Sequence, residues 1–259
     1  MDEPFPGSQV MVLDDQTAVI EPQKGRREEG LPASGILIFT PQDLGLFLRC
    51  FAPPPRKSHK IFLVDVFSGS YGNTPMALAG PMMGAPQAVL VLEKLIALGV
   101  RSVIAVGWCG SLQPHVRVGD LILPRATVSE EGTSNHYPCA ETHPGPSPEL
   151  VQPLREAFLS ELHGAHEGTV WSTDAPYRET KAKVLGYQKQ GVLAVDMESS
   201  ALFAVASFRG IRLAVVLIVS DELFSLKWVH GFKDGKFRQT REKVAELTLG
   251  AVSSWRGGK

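Results

Sequence analysis

The stretch Val195-Asp-Met-Glu-Ser-Ser-Ala-Leu-Phe-Ala-Val-Ala206, followed beyond Gly210 by Leu213-Ala-Val-Val-Leu-Ile-Val-Ser-Asp221, decides how this chain folds. The first part reads as an apolar helix that begins beside a carboxylate, Glu198, and stops at Gly210. The second is a continuously apolar run of strand length, the pattern of a strand buried on both faces. It delivers a second carboxylate, Asp221, at its C-terminal end. Open α/β sheets bind ligands at the carboxyl ends of their strands. Two acids in different surroundings are therefore expected at one rim, one to hold polar groups and one to move a proton.

Working outward, Ser102–Val106 is a β-branched strand that leads into Gly107 and Gly110. Ala85–Leu98 carries Val89, Leu92, Leu95 and Ile96 at helical spacing and ends at Gly99. Gly35–Phe39 and Ile61–Phe67 read as strands and Asp43–Cys50 as a helix, with Pro53-Pro-Pro55 breaking the pattern between them. Val118–Leu123 and Gly168–Ser172 are further strands; Pro148–His163, Glu179–Gln190 and Lys236–Trp255 are helices. Residues Glu130 to Pro148 form a long Pro-, Gly- and Ser-rich loop, of the kind that serves as a lid or a subunit contact. Residues 1–33 read as a polar arm with at best one short strand at Val10–Leu13, and 34–259 as a single domain. Strands alternating with helices of this length predict an α/β fold with a parallel or mixed sheet between helices.

With 259 residues, 44% of them hydrophobic, the chain is long enough to bury a sizeable core. A net charge of −1 gives no electrostatic case for a nucleic-acid partner. No apolar run reaches the length of a membrane span, and the start lacks a basic and apolar leader. The three cysteines, Cys50, Cys109 and Cys139, are far apart and lack metal-ligand spacing, so reduced thiols in a cytoplasmic protein without a metal are expected.

Leu98-Gly-Val-Arg-Ser-Val-Ile-Ala-Val-Gly-Trp-Cys-Gly-Ser-Leu-Gln-Pro-His-Val-Arg-Val-Gly-Asp120 resembles the core motif of the purine nucleoside and uridine phosphorylases. Val195–Ala206 resembles that family's ribose-binding Met-Glu motif, and Val219-Ser-Asp221 its end-of-strand catalytic motif. The resemblance runs from about Ala79 to Leu249, with the motifs in order and at compatible spacing. It implies one domain built on a central, mixed, partly barrel-like sheet flanked by helices. It further implies self-association as dimers, or hexamers built from dimers, and cleavage of a nucleoside's N-ribosidic bond. The acceptor is inorganic phosphate in phosphorylases and water in nucleosidases, with no other cofactor.

Such cleavage develops positive charge on the ribose and negative charge on the departing base, so it needs acceptors at the sugar and a donor at the base. The resemblance gives Glu198 the 2′ and 3′ hydroxyls and Met197 the floor beneath the sugar. From the residues alone, Glu198 equally suits the first turn of its helix. Asp221 takes the place of the acid that protonates N7 of a purine, and Arg238 that of the arginine paired with it. Ser172-Thr-Asp-Ala-Pro-Tyr-Arg178 matches the base-contacting loop, which nominates Asp174, Pro176 and Tyr177 alongside Cys109, Gly110 and Val195.

The departure concerns phosphate. Where family phosphorylases carry an arginine two residues before Gly107 and a Ser or Thr one residue after it, this chain has Ala105 and Trp108, and Thr40-Pro-Gln-Asp-Leu-Gly45, which matches the family's early glycine loop, lacks that loop's arginine. Each lost cation weakens phosphate binding by about 1.5–3 kcal/mol. Trp108 therefore belongs to the acceptor pocket as a plug or a stacking surface, and Arg56 aligns with an arginine donated by a neighbouring subunit. Three readings follow: phosphorolysis of a purine-type nucleoside, hydrolysis of the same bond, or a silent nucleoside-binding protein on the same fold.

Overall fold

A computed structural model describes residues 17–138 and 144–254. The strands are β1 Ser34–Ile38, β2 Arg56–Ile61, β3 Val64–Tyr71, β4 Thr74–Gly80, β5 Ser102–Ser111, β6 Leu121–Glu130, β7 Ala165–Thr173, β8 Ala194–Asp196, β9 Arg212–Glu222 and β10 Val229–His230. The helices are α1 Pro41–Arg49, α2 Ala85–Ala97, α3 Pro148–Glu161, α4 Lys181–Lys189, α5 Ser199–Arg209 and α6 Gly235–Ser254.

All ten strands form one mixed sheet that is half barrel and half open wing. β5 pairs with β9, β9 with β6, β6 with β7, β7 with β8, and β8 returns to β5, so these strands close a ring. From β5 the sheet continues through parallel β1 and β4 into the antiparallel β4–β3–β2 meander. β9 is buried along almost its whole length, because α5 and α2 cover one side and α3 and α6 the other. Each fully buried Val, Leu or Ile on it contributes about 1.5–3 kcal/mol.

The expected central elements are present, and several are longer than the sequence pattern: β5 runs on through Gly107 to Ser111, and β6 and β9 gain residues at their ends. Two corrections arise. The strand expected at Ile61–Phe67 is a hairpin, broken by Phe62 in the left-handed region (φ 53°), and a further turn at Gly72 makes three strands of this stretch. Within the long path from Asp221 to α6, two residues form β10 and pair with the end of β9. The short strand expected at Val10–Leu13 lies outside the described residues. The described part of the arm lies along the domain: Lys94 of α2 donates to the backbone of Gln23, and Leu31 is tied to Leu98. Among the described residues no helix is long and apolar enough to cross a membrane.

Candidate active site

The ends of β1, β5, β8 and β9 open on one cavity of about 800 Å³. Asp221, Glu198, Met197, Val195, Cys109, Gly110 and Trp108 all line it, as do Pro176 and Tyr177 from the short 3₁₀ turn Pro176–Arg178. The two carboxylates singled out in the sequence thus face a common space.

At one end stands Asp221. Its Oδ1 accepts the Ser220 hydroxyl at 2.6 Å and its Oδ2 the Trp228 indole N–H at 3.0 Å. Burial pushes its carboxyl above the ordinary aspartate value; the Ser220 and Trp228 hydrogen bonds and the charge of His230 oppose this. Gly110 lies directly opposite on β5, after a register shift at Cys109/Gly110. A Cβ on Gly110 would stand 3.0 Å from Asp221 Oδ2 and 2.8 Å from Leu223 Cδ1, so a side chain there would displace the acid. Cys109 is buried and its thiol is pushed well up by burial, which leaves it as wall.

The second end is built around Glu198 and Asp196. Glu198 occupies the N-cap position of α5 without capping it; its Oε1 instead accepts the Gly84 N–H at 2.6 Å. The capping is done by Asp196, whose Oδ2 accepts the Ser199 N–H at 3.0 Å and the Ser199 hydroxyl. Asp196 Oδ1 accepts the Ser172 hydroxyl at 2.6 Å. Both carboxyls are pushed up, chiefly by burial, and the charge of Asp196 raises Glu198 further. The Met197 side chain lines the wall beside them, 3.9 Å from where a Gly84 Cβ would lie.

The third end is where the sequence lacks its cations. Ala105 is wholly buried, and Trp108 fills the wall, edge-on to Phe237 at 5.1 Å and against Phe232 at 5.9 Å. Its indole N–H donates to Asp43 Oδ2 at 2.6 Å. Arg241 of α6 donates to Asp43 Oδ1 at 2.6 Å and lies over the Trp108 ring, 5.2 Å from its centre. The Thr40 hydroxyl also donates to Asp43, at 2.8 Å. A neutral, buried carboxylate–guanidinium pair therefore backs this end of the cavity.

Three expected residues are not brought to the cavity. Arg238 is exposed on α6 and lies off the wall; Trp228 stands at Asp221 in its stead. Asp174 is exposed and accepts the Gly132 N–H at 2.8 Å, so it ties two loops together. Arg56 is exposed on β2 and pairs with Glu29. Tyr177 reaches the cavity mouth fully exposed, and Pro176 lines the wall beside it. Among the described residues no cluster of His, Cys, Asp or Glu has the makings of a metal site.

Residues 34–253 match the family described as the phosphorylase superfamily. The chain belongs to the phosphorylase superfamily. Among relatives, it is 28% identical over 193 residues to the guanosine phosphorylase of Halorubrum lacusprofundi, covering 73% of this chain and 80% of that protein. It is 30% identical over 161 residues to the DeoD-type purine nucleoside phosphorylase of Bacillus cereus, covering 61% and 68%. Among solved structures, the uridine phosphorylase of Vibrio fischeri superposes with a TM-score of 0.79 at 22% identity, over 92% of this chain and 99% of that one. The purine nucleoside phosphorylase of Toxoplasma gondii in complex with immucillin-H superposes with a TM-score of 0.76 at 22% identity, over 85% and 90%.

Sequence reasoning did not find Asp43, Arg241, Asp196, Glu179 or Trp228. Asp43 stands at the start of α1, where the Thr40 hydroxyl accepts its backbone N–H, and that local capping signal says nothing of a partner on α6. Arg241 lies one turn beyond Arg238 on the same helix, where α6 packs on α1 and Asp43 meets it, whereas Arg238 in the first turn is exposed.

Proposed function

We propose that this chain cleaves the N-ribosidic bond of a purine-type ribonucleoside, with inorganic phosphate as acceptor. The observation that carries the reading is the placement of an acid with a raised pKa, Asp221, and a buried carboxyl pair, Asp196 and Glu198, on one cavity wall. Asp221 donates its proton to N7 of the departing base. A carboxyl held toward its protonated form is suited to that step. Glu198 binds the ribose hydroxyls over Met197. The charge of Glu198 and Asp196 is disfavoured in the empty cavity and becomes favourable beside a ribosyl group carrying positive charge. The named activities of the guanosine and purine nucleoside phosphorylase relatives support the reaction class.

Hydrolysis is the second reading, favoured by the acceptor end, where Ala105, Trp108 and the Asp43–Arg241 pair offer phosphate no free cation. A silent binding protein is disfavoured by the convergence of Asp221, Met197 and Glu198. Self-association as dimers or hexamers in the cytoplasm belongs to the same proposal, supported by exposed Phe62, Leu63 and Met83. Arg56, exposed and off its own cavity, would then be offered to a neighbour.

Base release from a panel of nucleosides tests the reading. Asp221→Asn is expected to lower turnover by about 10²–10⁴-fold, the usual contribution of a general acid, with little change in affinity. Equal turnover in the variant removes Asp221 from the chemistry.

A further inference from the structure

Glu131 follows β6 and is 2% exposed, yet it does not line the cavity. Its carboxylate is saturated with protein donors. Oε1 accepts the hydroxyls of Ser129 and Ser200, both at 2.8 Å, and Oε2 accepts the backbone N–H groups of Thr133 at 2.6 Å and Ser134 at 3.0 Å. Burial works against its charge, but hydrogen bonds from Ser134, Ser129 and Ser200 prevail and hold the carboxyl below the ordinary glutamate value. Ser129, Thr133 and Ser134 belong to Glu131's own turn; Ser200 is the second residue of α5. From Ser200 the contacts run on to the sugar end. Its N–H donates to Ser172 Oγ at 3.0 Å, and the Ser172 hydroxyl donates to Asp196 Oδ1 at 2.6 Å. Ser200 and Ser172 are buried and off the wall, whereas Asp196 and Glu198 line it. The segment that begins at Glu131 is held at its far end too, where Tyr137 packs edge-on against Phe208 of α5 at 5.5 Å.

We infer that Glu131 and Ser200 are positioning residues for the sugar: from behind the wall they fix the first turn of α5 and the Asp196 carboxyl, and so hold Glu198 at the ribose hydroxyls. The inference rests on the proposed function. Glu198 depends on that turn because it is the N-cap residue, its backbone oxygen accepting the Leu202 N–H at 3.0 Å. A shift of α5 therefore carries Glu198 with it, and a misplacement of about 1 Å can cost on the order of 100-fold in rate. A buried ionised glutamate is costly to desolvate, and apolar residues would pack the turn without that loss. What the carboxylate supplies is direction. It is an acceptor-only group beside the first turn of a helix, where the dipole favours an anion, and it commits the Ser200 hydroxyl to one arrangement.

The test compares inosine with 2′,3′-dideoxyinosine as substrates of the wild type, Ser200→Ala, Glu131→Gln and the double variant. Ser200→Ala removes one hydroxyl, suits a helix, and leaves the backbone N–H at 200 and the donors of Glu131's own turn in place. In Glu131→Gln the amide NH₂ faces donors whichever way it is turned, so the turn loses part of its hold without loss of volume. In Ser200→Ala, kcat/KM for inosine should fall on the order of 10-fold, chiefly in kcat, and that for the dideoxynucleoside by less than about threefold, because only ribose offers Glu198 its hydroxyls. Glu131→Gln should narrow the ratio of the two substrates likewise, and the double variant no further than the stronger single one, since both act through one contact. Equal losses on both substrates, with or without a lowered melting temperature, would make these contacts merely structural and overturn the inference. A ratio unchanged in either variant, or narrowed additively in the double, does the same. If the wild type cleaves no nucleoside, the proposed function fails, and calorimetric titration with the same two nucleosides still decides. A binding preference for inosine that Ser200→Ala reduces upholds the positioning role; equal binding of the two, or a preference unchanged in the variant, overturns it.

Discussion

Removal of the Asp43 carboxylate should destabilise the protein far more than removal of the whole ion pair. The side chain of Asp43 is 2% exposed and that of Arg241 12%, so solvent screening is slight at both. Asp43→Ala leaves the Arg241 guanidinium without its counter-charge between the rings of Trp108 and Phe237. Breaking one partner of a buried pair costs about 3–5 kcal/mol. At about 2–4 °C of melting temperature per kcal/mol for a domain of this size, the midpoint should fall by roughly 6–20 °C. Asp43→Ala/Arg241→Met removes both charges and fills the space with apolar atoms, which is often close to neutral. Trp108 loses its acceptor in either variant, but it lines the cavity and its indole N–H can reach water. The double variant is therefore expected to regain more than half of the loss. Urea denaturation of the four proteins of this cycle gives the coupling directly. A single-variant loss under about 1 kcal/mol, or a double variant no more stable than Asp43→Ala, would refute the reasoning, since it would mean that the pair is not buried and coupled as described.

Two other perturbations probe the acids on the wall. Trp228→Phe removes the indole N–H that favours ionised Asp221, so the pKa of Asp221 should rise further. The alkaline limb of kcat/KM against pH should move upward, and a downward shift counts against the assignment. Glu198→Gln should show the sign of the raised carboxyl in stability. In the wild type the unfolded chain releases its proton near the ordinary glutamate value of 4.5 while the native state holds it up to about 8, so native stability declines as pH rises through this window. The variant lacks that decline, and the difference between the two proteins should grow in its favour from pH 5 to 8. Parallel curves would show that Glu198 is not held toward its protonated form. The same variant should harm ribosides more than 2′,3′-dideoxy nucleosides.

The α/β pattern was legible because residues 103–106 of β5, 201–206 of α5 and 213–219 of β9 are continuous apolar runs that must be buried. Closure of the barrel was legible only through the family resemblance, since the pairings of β9 with β5 and of β8 with β5 join segments whose local sequence carries no mark of the partner. The β2–β3–β4 meander was hidden for another reason: its first turn is formed by Phe62 and Leu63, an exposed apolar pair that imitates strand. Within the site, Asp221, Glu198 and Met197 could be found because each sits at the end of a strongly patterned element. Asp43 and Arg241 are 198 positions apart and meet only through the packing of α1 on α6. Arg238, by contrast, carries the expected local motif and faces solvent, because a local motif does not fix how a helix packs.

The central claim is the transfer of a ribosyl group to phosphate, and the most direct measurement is base release from guanosine and inosine with and without inorganic phosphate, with the sugar product identified. The account predicts release that saturates with phosphate and yields ribose 1-phosphate. Release that ignores phosphate and yields free ribose would contradict it, and would make the wall of Ala105, Trp108 and the Asp43–Arg241 pair the mark of a hydrolase.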